Sequence, residues 1–349
     1  MADPILRRGS KGPDVVRLQQ QLAASGFDPG GADGSFGAKT EAAVRAFQTA
    51  RGLSVDGIVG PKTWAALAAG GQPGGQPSGG GGRGVSIHIG LNLVDPDQYG
   101  GWDGALAACE FDANDMRDIA VSQGFTPEVL LTTAATSQAV IDAIGRAAQS
   151  LTAGDTLLLT YSGHGGQVPD ASSDEADAQD ETWVLYDREL LDDELYQLWA
   201  RFPSGVRIAV LSDSCHSGSV TREMRERGAI PREARARAMP EDVERKTYEE
   251  HKDLYDGINN SIPRDVKDQV KATILLVSGC QDDQTSLDGD RNGAFTGALR
   301  QVWADGAFTG NWREFHQQIR SKLPDTQKPN YSREGSENEA FETARPFSH

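Results

Sequence analysis

Cysteine is scarce in this chain: Cys109, Cys215 and Cys280 are the only three among 349 residues. Three thiols are too few for a disulfide framework, and their spacing suits no zinc site. A reducing compartment is the natural setting, and a nucleophilic thiol needs one. Long apolar runs are missing too: none approaches the ~20 residues that cross a bilayer, so no membrane insertion is expected. Basic residues are outnumbered, 34 Lys and Arg against 51 Asp and Glu, for a net charge of −17. That balance argues against nucleic acid or an anionic membrane as partner. The opening Met1-Ala2-Asp3-Pro4 carries no basic patch leading into an apolar stretch. No secretory signal is expected there, which makes the cytoplasm the default compartment.

Glycine, by contrast, is plentiful at 40 residues, and its densest run divides the chain. Residues 71–84, Gly-Gln-Pro repeats running into Gly-Gly-Gly-Gly-Arg-Gly, read as a flexible linker. It separates a small module, residues 1–70, from a large domain, residues 85–349. Within the module, Asp33-Gly34-Ser35-Phe36-Gly37-Ala38-Lys39-Thr40 returns as Asp56-Gly57-Ile58-Val59-Gly60-Pro61-Lys62-Thr63. Each copy predicts a turn in which glycine takes positive φ cheaply, followed by a helix start. Val15, Leu18 and Leu22 share one helical face, and Ala43, Phe47 and Ala50 another.

From Val85 onward strand-like and helix-like segments alternate. Strands are expected over 85–93, 128–131, 156–160, 206–211 and 273–277. Helices are expected over 104–122, 137–151, 193–201, 294–303 and 311–323. This order predicts an α/β fold, a mostly parallel sheet flanked by helices on both faces. Residues 221–270, dense in Arg, Lys and Glu, interrupt it and read as a mobile basic loop.

Two strings follow strand-like runs. The first is Tyr161-Ser162-Gly163-His164-Gly165-Gly166, and the second is Asp213-Ser214-Cys215-His216-Ser217-Gly218. A parallel sheet presents reactive groups at the carboxyl ends of its strands. His164 and Cys215 leaving adjacent strands there would meet as base and nucleophile. Backbone N–H groups of Gly165 and Cys215 are the natural donors to a tetrahedral oxyanion. His216 is a rival base, but neighbouring side chains point apart where a strand ends. Residues two apart on a strand share a face, which sets Asp213 beside Cys215 and Ser162 beside His164. Cys109 and Asp112, three apart on the first helix, share a face as well. If that helix borders the strand ends, Asp112 and Asp213 line one pocket. Two carboxylates there would select Arg or Lys and repel an acidic side chain.

These strings carry two resemblances. Residues 5–68 resemble the three-helix peptidoglycan-binding module appended to many bacterial cell-wall enzymes. The match includes Leu6-Arg7-Arg8-Gly9-Ser10-Lys11-Gly12, Leu18-Gln19-Gln20-Gln21-Leu22, Ala46-Phe47-Gln48 and Gly60-Pro61-Lys62-Thr63-Trp64. It implies peptidoglycan as a partner, and with it an envelope location at odds with the cytoplasmic default. Residues 85–349 resemble a bacterial metacaspase, a caspase-like cysteine peptidase. The supporting strings are Ala108-Cys109-Glu110-Phe111-Asp112-Ala113, the two already quoted, and Ser278-Gly279-Cys280-Gln281-Asp282-Asp283-Gln284-Thr285-Ser286. In caspase-type enzymes the histidine lies about fifty residues before the cysteine, as here.

The metacaspase resemblance implies a His164–Cys215 dyad and a basic-residue pocket at Cys109, Asp112, Ser162 and Asp213. It implies cleavage of proteins after Arg or Lys. It also implies calcium as cofactor, held at Asp180, Asp192 and Asp193. A fourth family aspartate falls on Arg222, a departure that removes one ligand from that set. The basic loop joins the family's large and small catalytic portions, so self-cleavage after Arg235 or Arg237 is expected in an exposed segment. Two other readings keep the same residues: an inactive caspase-like scaffold that only binds, and a hydrolase of cell-wall peptides.

Overall fold

The structure is a computed structural model, describing residues 4–24, 27, 29–50, 56–68, 82–169, 179–215, 235–280 and 286–349. Most of the linker, the acidic run from Asp174 to Asp177, His216 and Arg222 lie outside the described residues. Contacts divide the chain into two compact units, an N-terminal one and a larger one spanning most of residues 80–349.

The N-terminal unit has three helices, α1 Pro13–Ala24, α2 Ala38–Ala50 and α3 Pro61–Ala68. Val15, Leu18 and Leu22 of α1 meet Ala43, Val44 and Phe47 of α2 and Trp64 and Leu67 of α3 in one core. The internal repeat has a shared cause. Gln19 is buried and bonds Asp33, the Ser35 carbonyl and Thr40, while its Oε1 accepts from Gly34 N–H. Gln48 repeats the set with Asp56, the Ile58 carbonyl, Thr63 and Gly57 N–H. Gly34 and Gly57 both sit at φ +72°, a conformation that favours glycine. Each Asp-Gly turn is thus clamped by one glutamine from the preceding helix.

The larger unit opens with β1 Gly84–Gly90, α4 Cys109–Ser122 and β2 Thr126–Leu131. It continues with α5 Ser137–Ser150, β3 Thr156–Ser162, β4 Gly165–Pro169, β5 Gln179–Val184 and β6 Glu189–Leu191. After α6 Asp192–Trp199 and β7 Arg207–Asp213 come α7 Glu241–Glu250 and α8 Lys252–Ser261. Last are β8 Thr273–Ser278, α9 Ala294–Trp303, α10 Trp312–Lys322, β9 Asn330–Gly335 and α11 Glu339–Glu342.

Six strands form the main sheet in the order β2-β1-β3-β7-β8-β9, parallel except for β9, which runs antiparallel to β8. On one face Ile87, Ile89, Leu157, Leu159, Ile208, Val210 and Ile274 are buried with Val140 and Ile144 of α5 and Leu198 of α6. On the other, Thr160, Ser162, Leu211 and Asp213 face Asp112 and Met116 of α4 and Phe295 and Leu299 of α9. Covered on both sides, the central strands read as continuous apolar runs, which is why they were legible.

One expectation is corrected and one gap filled. Residues 235–270 are not a loop: α7 and α8 occupy most of that span. Most of their charges face solvent, Glu244 excepted, while sparse anchors are buried, Tyr255 packing with Val168 and Leu191. Residues 165–169, 179–184 and 189–191, unassigned from the sequence, form a separate antiparallel sheet, β4-β5-β6. Among the described residues no helix is long and apolar enough to cross a membrane.

Candidate active site

The β3–β7 register pairs Ser162 directly with Asp213. His164 and Cys215 each lie two residues beyond that pair, at the carboxyl edge of neighbouring strands roughly 4.8 Å apart. Both are buried. Across this edge runs a short segment of the chain itself, residues 235–239, bent at Arg237.

That segment is held like a bound peptide. The Arg237 carbonyl oxygen accepts hydrogen bonds from Gly165 N–H and Cys215 N–H, each at 3.0 Å. Upstream of it, Arg237 N–H donates to the Ser286 carbonyl at 3.0 Å and Asp288 N–H donates to the Arg235 carbonyl at 2.9 Å. Ala236 therefore pairs antiparallel with Leu287. Downstream, Ala238 pairs parallel with Gly165, and Met239 N–H donates to the Gly165 carbonyl at 2.8 Å. Arg235 is exposed, but Arg237, expected in an exposed segment, is fully buried. Sequence reading missed this because burial of a guanidinium depends on distant carboxylates, not on local composition.

Those carboxylates converge on the guanidinium. Nη2 lies 2.7 Å from Asp112 Oδ2 and 3.0 Å from Asp288 Oδ1; Nη1 lies 3.0 Å from Asp213 Oδ2. Nη1 also donates to Ser162 Oγ at 2.8 Å and to the Asp213 carbonyl at 3.2 Å. Burial pulls the Arg237 pKa down, but Asp213, Cys109, Asp112 and Asp288 together hold it well above its ordinary value. Burial, with Asp213 adding to it, pushes Asp112 up to about 6 against the pull of Arg237. Burial pushes the Cys109 thiol up to about 12, so it stays neutral beside Ser162. The four pocket residues named from the sequence are thus together. Asp288 was missed, lying two residues past the last string quoted.

His164 Nε2 is 3.0 Å from the Gly104 carbonyl, and Nδ1 is buried without a hydrogen-bond partner. A carbonyl accepts only, so Nε2 carries the proton and Nδ1 offers a lone pair. Burial lowers the imidazole to about 4, partly offset by backbone contacts with Gly104 and Ala238. The indole of Trp102 packs on the ring, centroids 4.7 Å apart. Around Cys215, Ser286 N–H donates to Sγ. Cys280 donates its thiol to the Ser214 carbonyl at 3.4 Å, and its contact with Cys215, then burial, holds its pKa well above the usual range.

The residues named for calcium lie elsewhere. Asp180 Oδ2 accepts from Asn259 at 2.6 Å, and Lys267 Nζ stands 4.0 Å from Asp192 and 3.9 Å from Asp193. Burial, then repulsion from Asp193, raises Asp192 well above the carboxylate range, with Lys267 opposing and Asp180 and Glu181 adding to it. Asp192 Oδ1 is buried with no hydrogen-bond partner. This all-carboxylate donor set suits a hard cation. Among the described residues, however, no three His, Cys, Asp or Glu are gathered as a metal-holding group.

A cysteine and a histidine thus stand just past the ends of adjacent parallel strands, with a stretch of the chain laid across them. The chain belongs to the caspase-domain family, which it matches over residues 92–341. Residues 11–67 match a peptidoglycan binding domain. The crystal structure of protein GSU0716 from Geobacter sulfurreducens is 50% identical, with TM-score 0.70, covering 76% of this chain and 98% of that one. Metacaspase-1A of Neurospora crassa is 30% identical over 291 residues, 72% of this chain and 63% of the relative. Metacaspase-1 of Schizosaccharomyces pombe is 30% identical over 261 residues, 64% of this chain and 60% of the relative. The chain spans less than two thirds of the length of these two relatives. The metacaspase resemblance and the mainly parallel α/β fold are both borne out.

Proposed function

We propose that this chain is a cysteine endopeptidase that cuts after arginine, and less readily after lysine, and that its first substrate is its own Arg237–Ala238 bond. One observation carries the reading. The carbonyl of that bond rests on the N–H groups of Gly165 and Cys215 while its side chain fills a pocket of three carboxylates.

His164 Nδ1 takes the Cys215 thiol proton, and the thiolate attacks the Arg237 carbonyl carbon. Gly165 and Cys215 N–H stabilise the resulting oxyanion, each worth about 3 kcal/mol in such sites. Collapse breaks the C–N bond, and His164 returns the proton to the departing Ala238 amine. Water, activated by His164, then hydrolyses the thioester, releasing the Arg237 carboxylate and restoring the thiol. The pocket favours arginine over lysine because separate guanidinium nitrogens meet separate acceptors, a geometry that one ammonium cannot reproduce.

Calcium belongs to the same reading: Asp180, Asp192 and Asp193 would hold it, in competition with Lys267, as a charge clamp on α6. The N-terminal module would bring the peptidase to peptidoglycan. The test of the core claim is the purified chain. Wild type should yield a fragment beginning at Ala238, and Cys215→Ala should stay whole. Peptides with Arg before the scissile bond should be cut best, then those with Lys, with Asp untouched. A pure Cys215→Ala chain still nicked at Ala238, or a preference for Asp, refutes the reading.

A further inference from the structure

The bound segment occupies more than the arginine pocket. Met239, two residues past the Arg237–Ala238 bond, is fully buried in a cluster with Val94, Tyr99 and Val184, and Trp102 packs against it. A Cβ on Gly166 would come within 3.1 Å of Met239 Cε, so this glycine keeps the floor of the cavity open. The walls do not depend on the segment. Tyr99 OH donates to the Leu185 carbonyl at 2.7 Å, Val94 N–H to the Asp103 carbonyl at 3.0 Å, and Val184 N–H to the His164 carbonyl at 3.0 Å. Trp102, which packs on His164, forms part of the same wall. Only Val243, on α7, comes from the segment's own side of the chain.

We infer that this cavity is a second specificity subsite, which takes an apolar side chain two residues beyond the bond to be cut. The inference rests on the peptidase reading above and deepens it. An incoming peptide lying as residues 235–239 lie would place its second leaving-side residue where Met239 sits, its N–H on the Gly165 carbonyl. An apolar side chain there leaves water, whereas an acidic one must be desolvated beside the buried Glu189 carboxyl at the floor.

The test uses the self-processed full chain and peptides of the form Arg-Ala-X, with X varied among Met, Leu, Ser, Asp and Lys. An arginyl-aminocoumarin amide, with no residue beyond the scissile bond, is the control. Met and Leu peptides should exceed the Asp peptide by about tenfold to a hundredfold in kcat/KM, with the Lys peptide falling less because Glu189 stands at the floor. Equal rates across X, with the control cleaved, overturn the subsite and leave the peptidase standing. Cleavage of the control but of no extended peptide overturns it also, since the cavity would then stay filled by Met239. Failure of every substrate, control included, rejects the peptidase reading itself.

Discussion

A buried guanidinium faced by three carboxylates is held only if each carboxylate is itself tied down. Asp112 accepts from Asn292 at 2.9 Å and Gly293 N–H at 3.2 Å; Asp213 accepts from Ser286 Oγ at 2.6 Å and Thr296 Oγ1 at 2.9 Å. Asp288 accepts from Ala107 N–H at 2.8 Å and Ala108 N–H at 3.3 Å, just before α4. Donors other than Arg237 therefore hold all three carboxylates in place, and on the proposed reading they form a preorganised receptor for a substrate arginine. Asp288→Asn keeps the shape and removes one charge. Loss of a charge-assisted hydrogen bond costs about 1.5–3 kcal/mol, so kcat/KM for an Arg peptide should fall about tenfold to a hundredfold. The Arg-to-Lys ratio should narrow with it, because Nη2 loses an acceptor that an ammonium does not need. Kinetics on paired Arg and Lys peptides check this; an unchanged ratio would mean that Asp288 only caps the turn before α4.

At the scale of elements, legibility followed burial. β3 was expected over 156–160 and spans Thr156–Ser162, and β7 was expected over 206–211 and spans Arg207–Asp213. Both lie mid-sheet, where apolar runs are unbroken, so the strand ends bearing His164 and Cys215 could be found without the fold. β9, Asn330–Gly335, is a polar edge strand and gave no such signal. The segment 235–239 is harder still: its charge-rich neighbourhood reads as solvated, and it is ordered by residues from β3, β4, β7 and the 286–288 strip. The turn at Lys267–Gln269 raises a separate question, since it sets an ammonium on the acidic start of α6. If calcium binds there, Lys267→Gln should tighten it by about threefold to fivefold, the worth of a partly exposed ion pair. Calorimetric titration with calcium measures this directly. An unchanged affinity would show that the ammonium does not compete for those aspartates.

For the whole molecule, the buried titratable groups set how stability responds to pH, and they pull in opposite directions. Burial lowers His88 to about 3 and His164 to about 4. Between these values and about 6.5 the unfolded chain takes up protons that the folded chain refuses, so their contribution rises with pH in that window. Burial raises Glu189 to about 8 despite its bond from Thr182, and raises Glu244 to about 8 with help from Glu189 and Glu241. These folded carboxyls keep protons that the unfolded chain releases above about 4.5, so their contribution falls from there to about 8. Up to about pH 6.5 the two histidines offset the two glutamates, while Asp112 and Asp192, raised as well, add to the fall; beyond it the glutamates and Asp192 act together. Stability of the uncut Cys215→Ala chain should fall gently from pH 5 to 6.5 and more steeply toward pH 8, each raised carboxyl contributing at most roughly 1.4 kcal/mol per unit. Glu189→Gln, which keeps the shape and a donor, should make the decline shallower. Urea denaturation of both proteins at pH 5, 6.5 and 8 decides it: stability that climbs from pH 6.5 to 8 would mean that Glu189 is ionised where it lies, between Thr182 and Gly166 against the floor of the Met239 cavity.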